Sequence, residues 1–152
     1  MCDRLTDAGV RDLTPDDVPA LCALYEEYEW WANRDIDNVS DAFAATEVAV
    51  GVEITDDLVA AGRVLTDYIY YATVYDVIVA ADHRGEGYGT ILLEGIVNHP
   101  DLQRVAELSL LCRQGLIPFY ERVGFEIVDP IVENSEGRAE AMVRMVNRQD
   151  GR

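Results

Sequence analysis

The chain of 152 residues carries 29 acidic against 12 basic side chains, a formal net charge of −17, with 49% hydrophobic residues. All twelve bases are arginine, and there is no lysine. The length corresponds to a single domain, expected over residues 1–152, with apolar content enough for a core. The acid excess argues against a nucleic-acid partner, because phosphate neutralisation needs a basic face.

The acids are spread along the chain rather than gathered in a tail. They read as a solvated acidic surface suited to high salt, where repulsion is screened over roughly 3 Å at 1 M, so a halophilic source is expected. Cys2, Cys22 and Cys112 form no C-x-x-C and cannot all pair, which fits a reduced cytoplasm. The first residues, Met1-Cys2-Asp3-Arg4, lack the basic and apolar regions of a signal peptide. No apolar run approaches the roughly 20 residues of a membrane span. The expected location is therefore cytoplasmic, with no membrane partner. No His, Cys or acid cluster has metal-ligand spacing, so no metal is expected.

In chain order, residues 10–13 read as a first strand. Thr14 then serves as N-cap, with Pro15 at the first helical position and Asp16 and Asp17 in the first turn. Val18, Leu21, Cys22, Leu24 and Tyr25 repeat at helical spacing. Trp30 and Trp31 follow, and Ser40 is expected to cap a short second helix containing Ala42, Phe43 and Ala44. Residues 47–54, 58–66 and 69–80 read as an antiparallel meander with short polar connections. A helix over 88–98 stops near Pro100. Strand 105–112, a short helix 116–123 closed by Gly124, and strands 125–128 and 141–146 complete the chain. The expected fold class is α/β (α+β): a mixed, mostly antiparallel sheet of about seven strands flanked by helices.

The most informative stretch is the junction at 76–93. An apolar strand runs into Arg84-Gly85-Glu86-Gly87-Tyr88-Gly89-Thr90, and an apolar helix follows at once. Glycines let the backbone approach a ligand, and free N–H groups at a helix start favour an anion such as a pyrophosphate. A dinucleotide fold fits poorly. Position 90 is Thr90 where G-x-G-x-x-G needs glycine, the preceding strands read as antiparallel, and about 60 residues remain. A P-loop is excluded, since no Gly-Lys-Ser/Thr occurs.

Arg84, Gly87 and Gly89 instead fit R-x-x-G-x-G. About 30 residues on, Phe119, Tyr120, Gly124 and Phe125 fit F-Y-x-x-x-G-F. With the order of elements around both motifs, essentially the whole chain resembles the GNAT (GCN5-related) N-acetyltransferase superfamily. The resemblance implies a GNAT-like acyl-CoA N-acyltransferase fold with acetyl-CoA as co-substrate. It implies that Val77, Ile78 and Val79 offer backbone groups to the pantetheine arm, where two strands splay apart. It further implies that Arg84, Gly85, Glu86, Gly87, Tyr88, Gly89 and Thr90 wrap the pyrophosphate, and that Tyr120 sits beside the thioester sulfur. Where the family often has asparagine, seven residues before that tyrosine, this chain has Arg113, which could instead reach a phosphate.

Transfer to an amine is then expected by direct attack in a ternary complex. Tyr120 acts as general acid, and backbone N–H groups near Val79 polarise the carbonyl. Asp76, in an apolar strand, is the candidate general base, with burial expected to raise its pKa; the alternative is a buried acid paired with Arg63. Trp30, Trp31, Arg63 and Asp67 are the candidate acceptor contacts. Asp76, Asp67, Glu26 and Glu29 suggest a cation-attracting cleft for a small primary amine, or for a peptide N-terminus. Arg63 and Arg34 cut the other way, because either could hold a carboxylate bidentately. A homodimer is an open option. The reading from another class is a non-catalytic acyl-CoA sensor or interaction module, against which the presence of Tyr120 argues.

Overall fold

The structure is a computed structural model and describes residues 8–128 and 142–149. Two expectations, Cys2 and the strand start at Ala141, lie outside them. Seven strands and four helices occur in the expected order: β1 (Gly9–Asp12), α1 (Val18–Glu26), α2 (Ile36–Ala44), β2 (Val48–Ile54), β3 (Asp57–Thr66), β4 (Ala72–Val79), α3 (Tyr88–Val97), β5 (Glu107–Arg113), α4 (Ile117–Glu121), β6 (Glu126–Ile127) and β7 (Met142–Arg148). They form one sheet ordered β1-β2-β3-β4-β5-β7-β6. Every neighbouring pair is antiparallel except β4 and β5, which run parallel.

Local chemistry explains most boundaries. A 3-10 turn over Pro15–Asp17 precedes α1, with Thr14 and Asp17 forming a reciprocal capping box. Helix α2 is capped by Asp35, whose carboxylate accepts from the Asn38 N–H at 2.8 Å. Ser40 therefore lies inside this helix rather than at its start, a correction to the expected cap. Thr55 and Asp56 both have positive φ (47° and 69°) and join β2 to β3 as a two-residue hairpin turn. Strand β4 begins at Ala72 rather than at residue 69. The Asp67 carboxylate accepts from the N–H groups of Ile69, Tyr70 and Tyr71 (2.9, 2.7 and 3.0 Å) and folds that stretch into a loop.

The sheet is covered on both faces. A Cβ on Gly62 would meet Ile96 of α3 at 3.1 Å, so α3 lies against that face of β3. The next residue, Arg63, points the opposite way, as strand alternation requires, and lines a cavity with residues of α1 and α2. The fully buried side chains include Tyr88, Leu92, Leu93 and Ile96 of α3, with Val52 and Val64 beneath them in the sheet. Among the described residues Cys22 and Cys112 are free thiols, and no helix is long and apolar enough to cross a membrane.

Candidate active site

Strands β4 and β5 pair through a single register position, Thr73↔Ser109. Beyond it the two strands diverge, and the gap opens toward the glycine loop at the end of β4. The side of β4 that faces the gap follows from its pairing on the other side. The Ala80 N–H donates to the Val59 carbonyl at 2.8 Å, which makes Ala60↔Val79 a pair without mutual hydrogen bonds. Val79 therefore turns its own N–H and C=O away from β3 and into the gap. By the same alternation Ile78 turns its backbone groups to β3. Of the apolar residues expected to serve a ligand through their backbone, Ile78 is thus removed.

A bulge lies just before this segment. Ala61 pairs with Ile78 and Arg63 with Tyr75, so β4 carries one extra residue opposite Gly62. Asp76 at the bulge has φ 56°. Its carboxylate is taken by two arginines. Arg34 donates to both of its oxygens (2.9 and 3.2 Å), and Arg63 Nε donates to Oδ2 at 2.7 Å. Burial pushes the Asp76 carboxyl up, but Arg34 and then Arg63 outweigh it and hold the group below the usual carboxylate range. This overturns the expected upward shift. A carboxylate held ionised by two guanidinium groups is a weak proton acceptor, so Asp76 loses the physical basis for a general-base role. The pairing with Arg63 is the alternative that the structure bears out.

At the far end of β4 the glycine loop is shaped for an anion. Gly85 and Gly87 have φ 77° and 95°, and α3 starts at Gly87 with no side-chain cap. Its first N–H groups are left without intrahelical partners. A Cβ on Gly85 would meet nothing within 4 Å, so the space above the loop is open. Gly89 has a different job. A Cβ there would lie 2.9 Å from Phe119 Cζ and 3.3 Å from Val79 Cγ2. The last glycine of one motif therefore packs on the aromatic ring of the other. Tyr88 is fully buried, so its side chain turns inward; its hydroxyl is sealed without a hydrogen-bond partner among the described residues. Thr90 is half-buried in the first turn of α3, and Glu86 meets His83 Nδ1 at 3.1 Å.

Arg84 is held by contacts that the sequence does not announce. Its Nε donates to the Tyr28 hydroxyl at 2.8 Å, and its guanidinium lies 4.7 Å from the centre of that ring. The same hydroxyl donates to the Val79 carbonyl. Glu27 beside it accepts from the Ala81 N–H at 2.7 Å. The end of α1 thus clamps both the gap-facing carbonyl of Val79 and the start of the glycine loop. Tyr28, just past the end of α1, was not singled out in the sequence, where nothing local marks it as a clamp.

Trp31 is half-buried against Tyr25 and Tyr28, at ring distances of 5.7 and 5.9 Å. Trp30 is 54% exposed and lies under Arg113, whose guanidinium is 4.3 Å from the ring centre. Arg113, at the end of β5, therefore reaches across to the segment after α1. This stacking on Trp30 is a contact that the structure gives Arg113, the residue expected to reach a phosphate. Asp67, expected at the acceptor, instead holds the β3–β4 loop through backbone N–H groups, and those bonds keep its carboxyl ionised below the usual range.

Tyr120 sits in α4 just beyond β5 and is 6% exposed, edge-on to Phe119 and Phe125 at 4.9 and 5.8 Å. Burial, and to a smaller degree Cys112, push its hydroxyl well above the ordinary tyrosine range. Among the described residues that hydroxyl has no hydrogen-bond partner. Among the same residues no group of three or more His, Cys, Asp or Glu side chains is placed to hold a metal ion.

The model of the acetyltransferase (GNAT) family matches residues 9–125, from β1 to the end of the second motif. This chain belongs to the GNAT family. The GCN5-related N-acetyltransferase 2 of Arabidopsis thaliana chloroplasts is 32% identical over 73 residues, 48% of this chain and 28% of that protein. An uncharacterized N-acetyltransferase of Porphyra purpurea is 25% identical over 104 residues, 66% of this chain and 59% of the relative. The chain thus spans from about a quarter to three fifths of these relatives. Among solved structures, an aminoglycoside 6'-N-acetyltransferase complexed with coenzyme A superposes with a TM-score of 0.80 at 15% identity, covering 95% of this chain and 98% of the other. The ribosomal-protein-S18-alanine N-acetyltransferase of Escherichia coli gives 0.73 at 20% identity, over 93% and 94%. These likenesses show the GNAT fold.

Proposed function

We propose that this GNAT chain is an acetyl-CoA-dependent N-acetyltransferase that transfers its acetyl group to an amine by direct attack. One observation carries the reading: parallel β4 and β5 share a single rung and open toward an uncapped glycine loop, whose Gly89 packs on Phe119, the neighbour of Tyr120. The residues present suit coenzyme A. The open cradle at Gly85 and the free N–H groups of α3 favour a pyrophosphate, and the missing rungs of the ladder leave backbone groups for an extended pantetheine arm. Bound acetyl-CoA would supply the activated thioester.

The chain's own contribution is positioning and proton handling. The gap-facing N–H of Val79 is a preorganised donor for a developing oxyanion. Tyr120 stays protonated at working pH because burial raises its pKa, so its hydroxyl can give a proton to a departing thiolate. A metal is not part of this scheme. The sensor reading is weaker, because a buried tyrosine hydroxyl without a partner among the described residues suits proton donation better than packing.

Calorimetry with acetyl-CoA tests the cofactor site. Gly87→Val imposes a strained positive φ, at roughly 1–2 kcal/mol, and covers the donors. Affinity should fall at least about tenfold. Unchanged affinity in a folded variant rejects the site. Free thiol released from acetyl-CoA on addition of amines then tests transfer itself.

A further inference from the structure

We infer that the acceptor carries a carboxylate next to its amine, and that Arg63 is the residue that selects it. The inference rests on the acetyltransferase reading and names the substrate class of that site. Two guanidinium groups, those of Arg34 and Arg63, share the single carboxylate of Asp76. Arg63 Nη1 donates to Thr46 Oγ1 at 3.2 Å, and its Nη2 has no hydrogen-bond partner among the described residues. The cluster therefore holds one net positive charge and an unused donor. It does so in a chain whose formal charge is −17. Arg63 is only 22% exposed, so this charge is partly desolvated and gains from a matching anion.

Both arginines open onto a cavity of about 230 Å³ between α1, α2 and β3. Leu21, Val39 and Phe43 supply an apolar wall, and Tyr25 lies beneath the Arg34 guanidinium at 4.8 Å. The cavity is smaller than the roughly 300–1,000 Å³ of sites for drug-sized ligands. It suits one short side chain rather than a polycyclic acceptor.

Position relative to the transfer site sets the spacing of the two groups. Asp76 precedes Val79 by three residues, a span of about 10 Å along a strand. A carboxylate held at Arg63 thus places an amine a few bonds away toward the gap. A free amino acid with a compact apolar side chain meets these demands. Asp76 itself is unavailable to an incoming ammonium, since both its oxygens are already bonded to arginine.

The test compares leucine, leucinamide and 3-methylbutylamine as acceptors, read as thiol release from acetyl-CoA in molar salt. The parent should favour leucine in kcat/KM by at least about tenfold over both neutral analogues, the scale of a charge-assisted pair. In Arg63→Ala that ratio should collapse to within about threefold, and Arg63→Lys should restore part of it. A parent that prefers the amide or the amine overturns the inference. So does an Arg63→Ala enzyme that is slower on all three acceptors with an unchanged ratio, since that marks a purely structural arginine. If Arg63→Ala fails to fold, calorimetry of the parent with N-acetylleucine and N-acetylleucinamide in the presence of CoA decides, and equal binding or none overturns the inference. Failure of acetyl-CoA to bind would instead overturn the acetyltransferase reading. Acetyl-CoA binding with amine turnover that ignores the carboxylate removes only the acceptor class.

Discussion

Tyr120 and Asp76 show how differently two ionisable side chains respond to burial. Among the described residues nothing bonds the Tyr120 hydroxyl, and burial, with a smaller push from Cys112, raises its pKa and keeps its proton in place. Tyr120→Phe leaves no orphaned partner and should fold as the parent does. Turnover should drop by about 10²-fold with acetyl-CoA affinity unchanged. In the parent no alkaline fall in kcat from this group should appear below about pH 10; a fall near neutrality would assign the acid elsewhere. At Asp76 two guanidinium groups overcome burial, so the folded pKa lies below the unfolded value of about 3.9. Its stabilisation is present above that value and is lost as pH falls through the folded pKa. Asp76→Asn should therefore cost about 1–3 kcal/mol at pH 7, discounted because Arg34 is about a third exposed. Urea midpoints of parent and variant should approach one another as the pH falls below about 4. A gap that stays constant would mean the charge is not what stabilises the site.

At the level of elements, the sequence made strand, glycine turn and helix legible because each announces itself locally. Glycines at 85 and 87 answer a backbone demand, and apolar periodicity marks β4 and α3. The bulge at Asp76 was not legible, since its φ of 56° depends on pairing with a strand thirteen positions away. The same holds for Arg84 with Tyr28 and for Arg113 with Trp30, contacts made only once the sheet has formed. The helix-cap misreading has a local cause: Asp35 and Ser40 are both good caps, and only the observed φ and ψ separate them. The two motifs looked independent in sequence, yet Gly89 and Phe119 touch. Gly89→Val should displace α4 and with it Tyr120, lowering kcat more than acetyl-CoA affinity. Adding Phe119→Ala should recover part of the loss, and a double-mutant cycle should give a coupling of about 0.5–3 kcal/mol. Strict additivity would separate the motifs.

Across the whole molecule, twelve arginines cannot neutralise 29 acids. Several are already committed to local pairs, such as Arg11 with Asp17 and Glu53. The remaining negative charge repels itself, and salt screens that repulsion. The Tm should therefore rise steadily from dilute buffer into molar salt. A flat or falling Tm would show that local pairing already balances the surface.

The lone rung between β4 and β5 has a mechanical consequence. Thr73 and Ser109 meet there through backbone pairing and through their hydroxyls at 3.1 Å, and this is where the sheet's two halves are joined as a ladder. A sheet seamed so lightly should not unfold as one unit. Amides of β5 and β7 should exchange with solvent at lower free energy than those of β2 and β3. Coenzyme A, if it binds along the seam as proposed, should raise the protection of the weaker half toward that of the stronger, turning two cooperative blocks into one. Equal protection of both halves without ligand would mean that the apolar layers, not the ladder, bind the sheet together.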